Sequence, residues 1–204
     1  DAAPGGEGRN LTLDERHKAR YPVKFRTGPD NSNNNNINNS NNDMNGNNNN
    51  NNRSFAFVSG GDMEWGKAGI SLSKYAASQS DILFAVLGGD IAYENAIPSC
   101  YMRYDEWFYH WSKYMRTSTG HAIPILTTIG NHEAGGWRKT RSFVPFYFDY
   151  FPHQIGIQGV DPSNRRSYHN HMFGGHTSIT ILDSYVVTPI IGEQKRWLMD
   201  TLDH

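Results

Sequence analysis

Three glycine-led clusters hold the side chains best suited to chemistry: Gly61-Asp62, Gly89-Asp90-Ile91-Ala92-Tyr93 and Gly130-Asn131-His132-Glu133. Two carboxylates, an amide oxygen and a nearby imidazole make an oxygen-rich set for hard or borderline cations. Brought close together, Asp62 and Asp90 repel each other unless a multivalent ion lies between them. The phenol of Tyr93, with an ordinary pKa near ~10, ligates at neutral pH only beside a strong Lewis acid, of which Fe(III) is the natural example. Each residue also has a plainer reading. Asp62 and Asp90 suit the caps of following helices, Asn131 a turn, Tyr93 a packing aromatic and His132 a hydrogen-bonded surface histidine. Independent caps and turns would not be expected to recur in this order along the chain.

The clusters follow apolar runs. Ser54-Phe-Ala-Phe-Val-Ser leads into Gly60-Gly61-Asp62, Ile82-Leu-Phe-Ala-Val-Leu into Gly88-Gly89-Asp90, and Ile123-Pro-Ile-Leu-Thr-Thr-Ile into Gly130. Short continuous apolar runs bounded by glycine read as buried strands. Between them, residues 68–78 suit a helix, and residues 101–116 show an aromatic face at helical spacing (Tyr104, Trp107, Phe108, Trp111). A later strand over 178–182 ends at Asp183, and 193–202 reads as a helix. Strands alternating with helices predict an α/β domain with a largely parallel sheet. In such sheets ligands gather at the carboxyl ends of the strands, where Asp62, Asp90 and Asn131 fall.

The three clusters resemble the first metal-binding blocks of the calcineurin-like metallophosphoesterases, and the Tyr of the second block resembles the purple acid phosphatase branch. Ile181-Leu-Asp-Ser and Glu193-Gln194 with Trp197-Leu198 resemble that family's later strand and following helix, so the likeness spans residues 53–204. Tyr21–Pro29 is similar to the last strand of a preceding fibronectin-like domain. The resemblance implies a β-sandwich flanked by helices (αββα), incomplete at its C-terminus. It implies that Asp62 binds Fe(III), Asp90 bridges two metals, Tyr93 ligates the ferric ion with a purple charge-transfer colour, and Asn131 binds a divalent Zn, Mn or Fe. His132 would contact phosphate and assist the leaving group, with Glu133 behind the ligands. The implied activity is acid phosphatase hydrolysis of small phosphate monoesters by a metal-bound hydroxide, in a secreted, vacuolar or lysosomal setting. Two readings stand beside it: a phosphodiesterase or nucleotidase of the same superfamily, or an inactive truncated chain acting as a binding module. The family's Val-x-x-His and Gly-His-x-His blocks do not follow Asp183, so four of seven expected ligands are present and the chain reads as a fragment of a longer protein. Glu64 stands where a His would mark the wider superfamily, including its nucleases.

The remaining chain sets bounds. Its 204 residues carry a formal net charge of −1, which excludes a polybasic nucleic-acid arm or an acidic tail. No stretch approaches the ~20 apolar residues of a membrane-spanning helix. A single Cys100 excludes an intramolecular disulfide framework, though it could bridge two chains in a homodimer. It reads as a loop thiol. Between Asn31 and Asn52, 16 of 22 residues are Asn, too polar to offset the entropy of ordering, so residues 31–52 read as a disordered linker after a terminal segment of 1–30. Asn10, Asn38 and Asn52 head glycosylation patterns. His169-Asn-His171 with His176 has metal-like spacing, but its place before the 178–182 strand reads as exposed edge or loop histidines. Trp107 and Trp111 read as core, Glu64 as a surface residue, and Arg138, Lys139 and Arg141 as a solvated basic loop able to attract phosphate.

Overall fold

A computed structural model describes residues 55–153, 161–173 and 177–203. The expected N-terminal strand, the Asn-rich linker, the glycosylation patterns and His176 lie outside these residues. The three apolar runs form parallel strands β1 (Ala56–Gly60), β2 (Ile82–Leu87) and β3 (Ile125–Thr127), in the sheet order β1-β2-β3. Gly60 pairs with Leu87 and Leu87 with Thr127, so the strands end side by side. The central β2 is buried along almost its whole length, as expected where both faces of a parallel sheet are covered.

Helices α1 (Lys67–Ser78) and α2 (Met102–Tyr114) cover one face and pack against each other. On α2 the buried residues are Tyr104, Trp107 and Trp111, a stripe at helical spacing. Trp107 stacks on Trp111 at 5.0 Å, and the Trp111 indole N–H donates to the Ile123 carbonyl at 3.1 Å. These rings join Ala85, Leu87, Ile91, Tyr147 and Phe151 in the larger core. Two short helices follow β3: α3 (Asn131–Ala134) and α4 (Tyr147–Tyr150).

The opposite face carries an antiparallel hairpin of β4 (His169–Phe173) and β5 (Thr177–Ile181). Phe173 stacks on Phe84 of β2 at 4.4 Å, with Phe55 at 5.9 Å from both rings. Hairpin, parallel sheet and helices thus form successive layers. The later strand runs over Thr177–Ile181 and the final helix α5 over Glu193–Leu202. Asp183 is fully buried and ties the loop between them. It accepts from Ser167 Oγ at 2.7 Å and from the N–H groups of Val186, Val187 and Thr188, while its own N–H donates to Gln194 of α5.

Two expectations need correction. His169 and His171 are not exposed edge or loop histidines: they occupy their own strand, each only 5% exposed. Arg141 is not a solvated phosphate attractor. Its guanidinium lies 3.5 Å over the Phe148 ring and donates to the carbonyls of Arg165 and Pro162. Cys100, the expected loop thiol, lies in a 3-10 turn, Pro98–Cys100, of the connection between β2 and α2. Among the described residues no helix is long and apolar enough to cross a membrane.

Candidate metal centre

The loops leaving β1, β2 and β3 meet at one edge of the sheet because the strands themselves are neighbours. Backbone bonds hold the first two together: Asp62 N–H donates to Gly89 carbonyl at 3.2 Å and Met63 N–H to Asp90 carbonyl at 2.9 Å. The second and third loops touch through glycine. Gly89 has φ +91°, and a β-carbon there would lie 2.6 Å from Gly130 Cα. A β-carbon on Gly130 would fall 2.2 Å from Asp90 Oδ1. Only glycine permits both the positive φ and the contact.

Glu133 completes the joint. Fully buried, its carboxylate accepts from the N–H groups of Asp90 at 2.9 Å, Ile91 at 2.7 Å and Gly130 at 2.7 Å. Burial pushes its carboxyl up, and the three N–H donors offset only part of that rise.

The candidate ligands stand around this joint. Tyr93 donates its hydroxyl to Asp62 Oδ1 at 3.0 Å, linking the first two loops by side chains 31 positions apart. Asp90 Oδ1 accepts from the His132 N–H at 2.9 Å, which sets Asn131, the first residue of α3, beside the Asp90 loop. The His132 ring lies 4.2 Å from the Tyr93 ring. Neither aspartate caps the helix or turn that follows it in sequence. Gly66 precedes α1 without a side-chain cap, and Ile97 precedes the 3-10 turn after Asp90. Tyr93 is half-buried rather than a core aromatic, and Glu64 is exposed.

Asp62, Asp90, Tyr93, Asn95 and Ala96 all adopt left-handed backbone, with φ from 52° to 58°. For Tyr93 and Ala96 this region is disfavoured, at a cost of order 1–3 kcal/mol each. Strain gathered around converging polar groups is a pattern of ligand sites.

Asn95 was not singled out from sequence. Its Nδ2 donates to the Tyr93 carbonyl at 3.0 Å, and its Oδ1 accepts from His132 Nδ1. That leaves Nε2 as the free nitrogen of His132. An Asn five residues beyond Asp90, in a turn-rich stretch, carries no signal of its own without the fold.

The donor set offers oxygen atoms of the kind that hard cations take. Burial first, then the hydrogen bond to Asp62 and the charges of Asp62, Asp90 and Glu133, push the Tyr93 phenol up to about 12. As placed, the phenol keeps its proton and shares it with Asp62. A multivalent cation at that position would replace the proton and turn carboxylate repulsion into ligation. Comparison with protein-family models, curated proteins and solved structures found no match to this chain.

Proposed function

We propose that Asp62, Asp90, Tyr93 and Asn131 hold an Fe(III)–M(II) pair, with M as Zn, Mn or Fe, in a hydrolase of phosphate monoesters. The observation that carries this reading is the Tyr93–Asp62 contact at 3.0 Å across two loops that also hold Asp90. A phenol and carboxylate sharing one proton, with a second carboxylate on the neighbouring loop, favour a trivalent over a divalent ion at Tyr93. When bound, the ions supply Lewis acidity to the phosphoryl group and to its water nucleophile.

The chain's own residues supply the remainder. Asn95 engages Nδ1 of the His132 ring, so that Nε2 is the nitrogen through which an imidazolium would hydrogen-bond the leaving oxygen and donate its proton. The Glu133 joint holds the Asp90 and Gly130 loops at a fixed spacing, so little rearrangement is needed when substrate arrives. The layered sheet and hairpin agree with a metallophosphoesterase-type αββα sandwich, in which β4 and β5 would belong to the second sheet.

The chain loaded with Fe(III) and Zn(II) should absorb in the visible through a tyrosinate-to-iron transition and should cleave p-nitrophenyl phosphate faster than its bis-ester. A colourless loaded chain would overturn the ferric reading. Preference for the diester would move the assignment to phosphodiesterases.

A further inference from the structure

A second cluster of metal-capable side chains lies between the sheet and the hairpin, and it shares no residue with the site above. His169 and His171 are two apart on β4, so the pleat sends both to the same face, and both are buried. His153, shortly after α4, stacks its ring on His169 at 4.0 Å and 11°. One ring nitrogen from each of the three lies within 4.8 Å of the others.

The surrounding hydrogen bonds choose the tautomers. His169 Nε2 is 2.9 Å from the Thr127 carbonyl. A carbonyl only accepts, so Nε2 carries the proton and the Nδ1 lone pair points the other way. In the metal-free chain that lone pair accepts from His171 Nε2–H at 2.9 Å, a proton that a cation between the two rings would displace. A ring N–H anchored on a backbone carbonyl, with the opposite nitrogen turned inward, is the arrangement that orients histidine ligands on metals. The same carbonyl accepts from Tyr147 at 3.1 Å, and Thr127 Oγ1 lies 2.7 Å from His153 Nε2. One buried threonine at the end of β3 therefore orients two of the three rings.

We propose that His153, His169 and His171 bind one zinc-class divalent cation through three imidazole nitrogens, at a site independent of Asp62, Asp90, Tyr93 and Asn131. Burial, and for His153 the two neighbouring rings, hold these imidazoles below their ordinary range, so the lone pairs remain available at neutral pH. No carboxylate belongs to the cluster, which selects borderline ions such as Zn(II), Co(II) or Ni(II) over Mg(II) and Ca(II). The three rings line a cleft of about 950 Å³. Its space admits a fourth ligand, water or an anion, as in zinc sites with three protein donors and one open position.

The test is titration of the 204-residue chain with Zn(II) against a chromophoric chelator, in an Asp62→Ala/Asp90→Ala background that removes ligands of the first site. One tight zinc per chain is expected, and Co(II) in its place should give the intense visible bands of four-coordination. His171→Gln should abolish that binding. Tyr147→Phe, which keeps the ring and loses the hydroxyl near His153 (3.3 Å), should weaken it about 10–100-fold. Unchanged zinc affinity in a folded His171→Gln chain would overturn the site. Ring-nitrogen NMR of the background chain needs no histidine variant. Zinc should shift resonances of His153, His169 and His171 together, and their insensitivity to saturating zinc would refute the proposal.

Discussion

A phenol that donates to one carboxylate and lies near two more can lose its proton only to a competing positive charge. Tyr93 is in that position, and Tyr93→Phe isolates it. The loaded variant should lose its visible band while its thermal unfolding stays near that of the parent chain, since the ring and its tilted contact with His132 survive. Behind Tyr93, Glu94 is fully buried, and neither carboxyl oxygen has a hydrogen-bond partner among the described residues. Burial first, then the Glu133 charge, push it up to about 8. The folded chain thus takes up a proton that the unfolded chain releases near the ordinary carboxyl value. Its contribution to stability is fully present below that value and is lost as pH rises toward about 8. In metal-free chain, urea midpoints measured from pH 4.5 to 8.5 should fall through this window, and Glu94→Gln should flatten the fall. None of this was visible in the residue order: Glu94 reads as one more polar residue after Tyr93, and only its enclosure by Tyr104 and Glu133 makes it unusual. Tyr93 stands out in the sequence by its place three residues after Asp90, but its bond to Asp62, 31 positions away, depends on the two loops meeting.

Strand ends and turns carry the next level of constraint. Gly89 and Gly130 touch backbone to backbone, so Gly130→Ala cannot be absorbed by a side-chain rotation: the new methyl would strike Asp90 Oδ1. It should cost about 1–3 kcal/mol by overpacking, read from denaturant unfolding, and should also weaken metal uptake at the Asp62–Asp90 site. A different failure is expected at Glu133. Glu133→Gln substitutes an amide that accepts through one oxygen where three N–H groups converge, and each donor stranded there costs about 1–3 kcal/mol. The three parallel strands were plain in the sequence because continuous apolar runs bounded by glycine have few other uses. Strand β4 was not. His-Asn-His-Met-Phe lacks the apolar residues that mark a buried strand, and its inward histidines look polar until the Thr127 carbonyl is seen to satisfy His169, and His169 in turn His171. His153 is further hidden, since no periodicity links it to β4. Asp183 reads from sequence as the end of a strand, and the four hydrogen bonds that its carboxylate accepts depend on a loop path that spacing does not encode.

At the scale of the molecule, the parallel sheet is enclosed by helices on one side and the hairpin on the other, and the hairpin meets the sheet through aromatic contact and through the His169 bond to Thr127. Phe173→Ala removes the ring stacked on Phe84. Because Phe173 is only half-buried, the loss should be about 1–3 kcal/mol, below the ~3–5 kcal/mol of a fully buried Phe→Ala change. Limited proteolysis should then cut the hairpin before the helical side. The layering has one further consequence for β2, which contributes side chains to both the helix-side core and the hairpin-side cluster. Peeling away either layer alone leaves this strand gripped by the other. In deuterium exchange its amides should therefore be the slowest to trade hydrogen with solvent, at rates tracking loss of the entire structure, so a few central residues would serve as a gauge of the whole chain's cohesion.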